Sequence, residues 1–298
     1  MSDNADEPLE VIVRRHARQL VKSSTPMLDA RLLAQSVLGL SDADFILASP
    51  NDVKLQDRQT IEKLVARRVV GEPMAYLLGE KEFRSLVFKM HPGVLVPRPD
   101  SETLIDAVEA LRSADLPLRI LDLGVGSGCL LLTLLMSFPR ATGIGVDQNE
   151  AAVRLARENA QRLGLDDRAT FLKGDWAEAL NGSFDLIISN PPYIRTGDRN
   201  ELPPDVADFE DERALFAGAD GLSAYGDLLA SAASKLAPDG LLVLELGIGQ
   251  EHSVRALVST YLPDATLSAK ADLADIPRAL VADRQPQQSV NTNLKKRL

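Results

Sequence analysis

The chain has 298 residues, 45% of them hydrophobic, with 43 acidic against 33 basic side chains and a formal net charge of -10. That length and apolar fraction suit one large globular domain plus a smaller one, while the acidic balance argues against a surface built for phosphate backbones. One cysteine, Cys129, excludes an internal disulfide and suits a reducing, cytoplasmic setting.

The opening "MSDNADEPLE" is acidic and polar and lacks the basic and apolar regions of a secretion signal. No apolar run is long enough to span a bilayer, so no membrane association is expected. The first eighty or so residues read as helices. "LEVIVRRHARQLV" sets Leu9, Val11, Ile12, Val13, Leu20 and Val21 among basic residues, and "MLDARLLAQSVLGL" puts Leu28, Leu32, Leu33 and Val37 on one stripe ending at Gly39. "DRQTIEKLVARRVVGEP" repeats the pattern and stops at Gly71 and Pro73. The spacing predicts a small helical domain over 1–82. His16, His91 and His252 are isolated, with no second His or Cys at ligand spacing, so no metal site is expected.

"FRSLVFKMHPGVLVPR", Phe83 to Arg98, alternates and is broken by Pro92-Gly93, which predicts a β-hairpin linker over 83–98. From 99 to 285 the pattern becomes strand, loop, helix. Apolar runs at "LRILDLG", "ATGIGVD", "ATFLKGD", "FDLIISN", "LLVLELG" and "ALVA" alternate with helical stretches such as "AAVRLARENAQRL". This predicts an α/β domain with a doubly wound, mostly parallel sheet covered on both faces. Residues 286–298 read as a polar, frayed tail.

"RILDLGVGSGCLLLTLL" is a strand, a glycine turn and a helix. Gly124, Gly126 and Gly128 permit positive φ and close approach of a ligand to the backbone at Val125 and Ser127. A dinucleotide fingerprint would need G-x-G-x-x-G, and its last position here is Cys129. The flanking acid Asp122 suits a ligand with an amino group rather than a pyrophosphate, which favours a bare helix N-terminus. A second strand ends at Asp147, placed for two ribose hydroxyls. A third ends in Asp175-Trp176, a carboxylate for an adenine amino group and an indole to pack on the purine. Three acids at successive strand ends around one glycine loop point to a cationic adenosine ligand without phosphates, S-adenosylmethionine. Cys129, opening the next helix, reads as a small buried apolar residue.

The fourth strand runs into "NPPY", Asn190, Pro191, Pro192 and Tyr193, beside the glycine-loop strand at the sheet's ligand-binding end. An amino group on an sp² carbon is a poor nucleophile, because its lone pair is delocalised. Two acceptors gripping its N–H bonds aim that lone pair at the methyl-sulfonium. Asn190 supplies a side-chain carbonyl and Pro191 a main-chain one. The prolines fix φ and remove N–H groups that would compete as donors, and Tyr193 offers a flat face to a planar substrate. Read alone, Asn-Pro is also a common strand-ending turn.

With these motifs in view, the chain resembles the HemK/PrmC family of protein-(glutamine-N5) methyltransferases, which modify class 1 peptide-chain release factors. The resemblance runs from "MLDARLLAQSVLGL" to "ADLADIPRALVA". It rests most specifically on "GEPMAYLLGEKEF", "VPRPDSETL", "DLGVGSGCL", "NPPYI" and "LELGIGQ" in that order. It implies a class I methyltransferase domain behind a helical domain that recognises the protein substrate. It also implies transfer of a methyl from S-adenosylmethionine to the glutamine of a Gly-Gly-Gln loop, leaving S-adenosylhomocysteine. Gly124 to Gly128, Asp147, Trp176 and Asn190 would contact the cofactor, Asn190 to Tyr193 the glutamine amide, and Arg98 and Glu102 would border the pocket. Glu210-Asp211 departs from the family's Glu-Pro, "AGADGLSAYG" from its usual aromatic and arginine ending, and the extension beyond Arg284 from typical members.

Three rival readings stand beside it. A nucleic-acid adenine-N6 methyltransferase could use the same fork, but no basic stripe is visible beyond short runs such as Arg14-Arg15 and Arg67-Arg68. Ribosomal-protein glutamine methyltransferases differ in the segment equivalent to "VPRPDSE". A non-catalytic release-factor-docking protein would not need an intact fork. No direct nucleic-acid partner is expected.

Overall fold

The computed structural model describes residues 7–47 and 53–285. Two compact units emerge. One comprises the described part of Met1–Lys81 with Met90–Pro92 and Glu201–Glu210; the other comprises Glu82–Lys89, Gly93–Asn200 and the described residues from Asp211 onward.

The first unit carries α1 (Leu9–Ala17), α2 (Pro26–Leu38), α3 (Asp42–Leu47), α4 (Leu55–Val69) and α5 (Met74–Leu78). Ile12 and Val13 of α1, Leu33 and Ala34 of α2, and Ile61 and Val65 of α4 form its core. The expected stripe on α2 is rotated: Leu33 is buried and Val37 packs at the core's edge, but Leu28 faces out, because Ala30 and Ala34 take the inward positions. Gly39 closes α2 in the left-handed conformation. The buried Asp29 accepts from Ser23 Oγ, Thr25 Oγ1 and Arg68 Nε, so its charge is paired and its oxygens satisfied. His16 is buried within α1.

The hairpin forms, but not where the alternation placed it. Its strands are β1 (Glu80–Phe83) and β2 (Leu86–Lys89). The turn is Arg84-Ser85, with φ of 51° and 60°, and Pro92-Gly93 lies beyond β2. Two left-handed residues match the twist of a tight hairpin, a role that usually calls for Asn or Gly. Here tertiary bonds hold a side chain in that conformation. Arg84 donates to Asp106 (2.9 Å) and Glu109 (2.8 Å), and its N–H to Glu102 Oε1.

The second unit is a seven-stranded sheet. Its strands are β3 (Arg119–Leu123), β4 (Thr142–Asp147), β5 (Ala169–Lys173), β6 (Phe184–Ser189), β7 (Leu236–Glu245), β8 (Thr266–Ala271) and β9 (Pro277–Asp283). Their order is β5-β4-β3-β6-β7-β9-β8, parallel throughout except where β9 runs antiparallel to β7 and β8. On one face α6 (Glu102–Leu111), α7 (Cys129–Ser137) and α8 (Glu150–Leu163) pack Ile105, Leu131 and Val153 with Ile120, Ile188 and Val243 of the sheet. On the other, α11 (Ser223–Ala232) and α12 (Glu251–Tyr261) pack Leu228, Leu229 and Val258 with Leu121, Ile187 and Leu242. Short helices α9 (Pro204–Ala207) and α10 (Glu212–Leu215) precede α11. Alternate residues of each strand thus feed opposite faces, the pattern of a doubly wound sheet.

Edge strand β8 was not among the expected six. "TLSAKA" is largely exposed and carries no apolar run, and an edge strand with one partner needs none. Among the described residues no helix is long and apolar enough to cross a membrane, and no group of three or more His, Cys, Asp or Glu is arranged to hold a metal.

Candidate active site

Strands β3 and β6 pair in parallel with Leu123 opposite Ser189, so Gly124 and Asn190 leave the sheet side by side. A Cβ on Gly124 would lie 3.9 Å from the Asn190 carbonyl oxygen. Gly124, Gly126 and Gly128 have φ of 75°, 54° and 85°, as a loop that folds tightly over a strand end requires. The N–H groups of Gly124 and Val125 both donate to the Val146 carbonyl (2.9 and 3.0 Å), tying the loop to β4. Between the loop and the strand ends lies a cleft of roughly 1000 Å³ of atom-free space, partly open to solvent, bordered by Gly126, Ser127, Asp147, Trp176 and Asn190.

The three acids occupy three different settings. Asp147 lines the cleft; Oδ2 accepts from Gly126 N–H (2.9 Å) and Oδ1 from Asn149 N–H (2.8 Å). Each oxygen keeps a lone pair for a further donor. Burial raises its pKa, opposed by those two bonds. Asp122 is only 1% exposed and does not border the cleft. It sits behind the loop, where Oδ2 accepts from Leu131 N–H in the first turn of α7 (3.2 Å) and Oδ1 has no partner. Burial pushes it up to about 7. Asp175 is exposed beside the cleft and accepts from Gln148 Nε2 (2.6 Å). Trp176 borders the cleft with its backbone in the left-handed region, φ 43°, an uncommon conformation for a bulky residue. Cys129 lies against the cleft, its thiol pushed up to about 12 by burial and so neutral.

At the fork, the Asn190 side-chain NH₂ donates to Ser101 Oγ (3.2 Å), and Ser101 Oγ donates to Glu245 Oε2 (2.5 Å). The second oxygen, Glu245 Oε1, accepts from the Tyr193 hydroxyl (3.3 Å), and the Glu245 carbonyl accepts from Tyr225 (2.8 Å). Glu245 is 1% exposed, and burial pushes its carboxyl up to about 7. Tyr193 is raised by burial and by the Glu245 charge, which keeps the phenol protonated. The Tyr193 carbonyl accepts from Gln250 Nε2 (2.9 Å). Pro191 is buried, and Pro192 borders the cleft.

Of the two residues expected from "VPRPDSETL" to border the pocket, Arg98 is half-buried and does not line the cleft, which Pro97 beside it does; its charge acts on Tyr193. Glu102 points elsewhere, accepting from the Arg84 N–H at the hairpin turn and lining a separate polar hollow with Thr133 and Ser137. Its neighbour Ser101 faces the cleft instead. One position of helical advance turns a side chain by about 100°, which is the whole difference. Ser101, Glu245 and Gln250 were missed. The signal that could have found Glu245 is an acid closing an apolar strand, the pattern that singled out Asp147.

Gly221 guards the fork. Its φ is 74°, and a Cβ there would come within 2.5 Å of the Tyr193 carbonyl and 2.8 Å of Gln250 Nε2. Gly221→Ala is expected to displace the "NPPY" backbone and lower methyl-transfer turnover at least tenfold, with melting temperature reduced by a few degrees. Unchanged turnover would show that the carbonyl position does not matter.

Comparison with known proteins adds to this geometry. Residues 12–79 match the PrmC N-terminal domain and 87–206 the methyltransferase small domain. A release factor glutamine methyltransferase of Rhodospirillum rubrum is 45% identical over 87% of this chain and 79% of its own length; one from Bradyrhizobium diazoefficiens is 41% identical over 87% and 88%. The chain belongs to the release factor glutamine methyltransferase family. It is an S-adenosylmethionine-dependent methyltransferase. Among solved structures, a T. thermophilus 16S rRNA N2 methyltransferase in complex with AdoMet and guanosine aligns with a TM-score of 0.51 at 22% identity, covering 69% of this chain and 50% of that one, a likeness of fold.

The cleft of this family member fits that cofactor. Backbone approach is open at Gly124 and Gly126, where a Cβ would meet nothing closer than 3.9 Å. Ser127 Oγ is buried against the cleft with the Cys129 thiol as its polar neighbour, and it keeps hydrogen-bonding capacity that a ligand can use. Asp147 offers acceptors at one side and Trp176 a flat apolar face near it. The described residues offer no lysine on the cleft lining and only Arg213 as a cation, a composition unsuited to a pyrophosphate and suited to a ligand carrying positive charge.

Proposed function

We propose that this chain methylates the side-chain amide nitrogen (N5) of the glutamine in the Gly-Gly-Gln loop of class 1 peptide-chain release factors. The observation that carries this is Asn190, beside the glycine loop, with its NH₂ committed to Ser101 so that Oδ1 is the atom left to accept. The relatives' activity as release factor glutamine methyltransferases supplies the substrate class.

S-adenosylmethionine, when bound, supplies a methyl on a cationic sulfur. Gly124, Val125, Gly126 and Ser127 would cradle it with backbone, while Gly128 packs the turn against Leu132 and Ala156 and does not line the cleft; Asp147 would accept from ribose hydroxyls, and Trp176 would pack on the adenine. Asp122 acts through the loop, by holding the start of α7. Asp175, at the rim, accepts from an adenine amino group only if Gln148 yields. On the substrate side, Asn190 Oδ1 and the Pro191 carbonyl accept the two amide N–H bonds, Pro192 leaves no competing donor, and Tyr193 covers the planar amide. Carbonyl dipoles then meet the positive charge growing on nitrogen. Arg98 contributes positive charge near Tyr193. Glu102 orders the hairpin rather than the pocket. The helical unit recognises the release factor beyond the reactive loop, and the site operates in the cytoplasm.

The test is labelled S-adenosylmethionine offered with a release factor, its Gln→Ala variant, a short Gly-Gly-Gln peptide, a ribosomal protein and DNA. Label is expected on the intact factor alone among the macromolecules, and to vanish with the Gln→Ala change. The peptide is expected to fall short of the factor in kcat/KM by at least about 10², the missing contacts being those of the helical unit. Label on DNA, or on the ribosomal protein in preference, overturns the assignment. Equal kcat/KM for peptide and factor removes the helical unit's role.

A further inference from the structure

Glu245 is a carboxylate sealed in the protein, and nothing in the methyl transfer as described uses it. Among the described residues no cation pairs with it. Arg278, whose charge it feels, is bonded to Asp100 and Asp272 (both 2.9 Å). A buried acid held only by two hydroxyls costs stability, so its position at the end of β7, beside the strand that carries Asn190, calls for a reason.

The hydrogen-bond directions supply one. A carboxamide can be flipped, exchanging its oxygen and nitrogen with little change in shape. In one direction Asn190 presents an acceptor to the substrate, in the other a donor that repels an amide N–H. Ser101 has a single proton. With that proton given to Glu245 at 2.5 Å, Ser101 Oγ can only accept from Asn190, so the side-chain nitrogen must face Ser101. The geometry points to Ser101 and Glu245 as positioning residues that set the direction of the Asn190 carboxamide and hold its oxygen as an acceptor. Tyr193, bonded to the other oxygen of Glu245, is fixed by the same group. One buried carboxylate thereby aligns both Asn190 and Tyr193. This inference rests on the proposed amide substrate for its catalytic meaning, though the hydrogen-bond chain can be tested without it.

Two readouts separate the cases. In turnover with release factor, Ser101→Ala is expected to lower kcat by 10- to 100-fold while the Kd for S-adenosylmethionine changes less than threefold. Ser101→Thr, which keeps the hydroxyl but is bulkier, is expected to recover at least tenfold of that loss. Glu245→Gln, which can offer Ser101 a donor in place of an acceptor, is expected to lower kcat like Ser101→Ala. A role in packing alone predicts the opposite order, with Thr worse than Ala, and that order overturns the proposal.

The second readout is the side-chain amide signal of Asn190 in the full chain with labelled asparagine, assigned by its loss in Asn190→Ala. One of its two protons is expected to exchange slowly in the wild type and in Ser101→Thr, and rapidly in Ser101→Ala and Glu245→Gln. No difference among these overturns the proposal. Should the wild type fail to methylate release factor while the signal behaves as expected, the substrate assignment falls and the positioning role stands.

Discussion

Replacing Asn190 by alanine is expected to lower the methylation rate of release factor by a factor on the order of 10² or more. The affinity for S-adenosylmethionine is expected to stay within a few-fold. Asn190 is one of many residues that border the cleft, which is also lined by Gly124 to Ser127, Asp147 and Trp176. Removing the side chain deletes one acceptor of two from the substrate amide and takes away the NH₂ that donates to Ser101 Oγ. The amide nitrogen then keeps its lone pair in conjugation and samples orientations in which nothing points at the methyl. The loss should appear in kcat rather than in KM, because the protein substrate is held by contacts that Asn190 does not make. Single-turnover rates and equilibrium titration of the cofactor separate the two. Near-wild-type turnover would remove the fork from the mechanism.

Asp122→Asn is expected to stabilise the protein against heat at pH 8 and to give up that advantage near pH 5. Burial holds the Asp122 carboxyl up to about 7 in the folded chain, well above an ordinary carboxyl. Between the unfolded and the folded pKa the native state keeps a proton that the unfolded state has released. Stability therefore falls as pH rises through the window from about 4 to 7, and the full cost is present above it. A shift of about three units corresponds to at most ~4 kcal/mol. Asparagine can still accept from Leu131 N–H but carries no charge to bury, and its NH₂ inherits the position of the unpartnered Oδ1. That unmet donor offsets about 1–3 kcal/mol of the gain, so the pH dependence of the difference decides the matter more than its size. At about 2–4 °C per kcal/mol for a domain of this size, the melting temperatures should separate by several degrees at pH 8. Glu245, raised in the same direction, is common to both proteins and cancels in the comparison. A gap that does not change with pH would show that the Asp122 charge is fully compensated.

Much of the site is legible in the sequence. The glycine loop announces itself because positive φ is a local property of glycine, and "NPPY" because proline removes donors wherever it stands. The adjacency of the two follows from the order of a doubly wound sheet, and β3 does pair with β6. Of the acids, strand-end position singled out Asp147, which lines the cleft, but could not distinguish it from Asp122, one residue before the strand's end, which lies behind the loop. The hairpin turn escaped because Arg84 and Ser85 have no intrinsic preference for left-handed backbone; Asp106, Glu109 and Glu102, far along the chain, hold them there.

What the amino-acid sequence determined alone is the set of properties written within a few residues: strand and helix periods, the glycine turn, the double proline, and hence the α/β class and the chemistry of an adenosine-bound methyl donor. What only the tertiary structure decided is which side chains meet across the sheet. Ser101, Asn190 and Glu245 are separated by 89 and 144 positions and converge through hydrogen bonds of 3.2 and 2.5 Å. Their alignment depends on the pairing of two strands, β6 and β7, and the rotation of one helix start. Pairing between distant strands leaves no periodic trace in either partner, because each strand's pattern records only that it is buried, and not beside what.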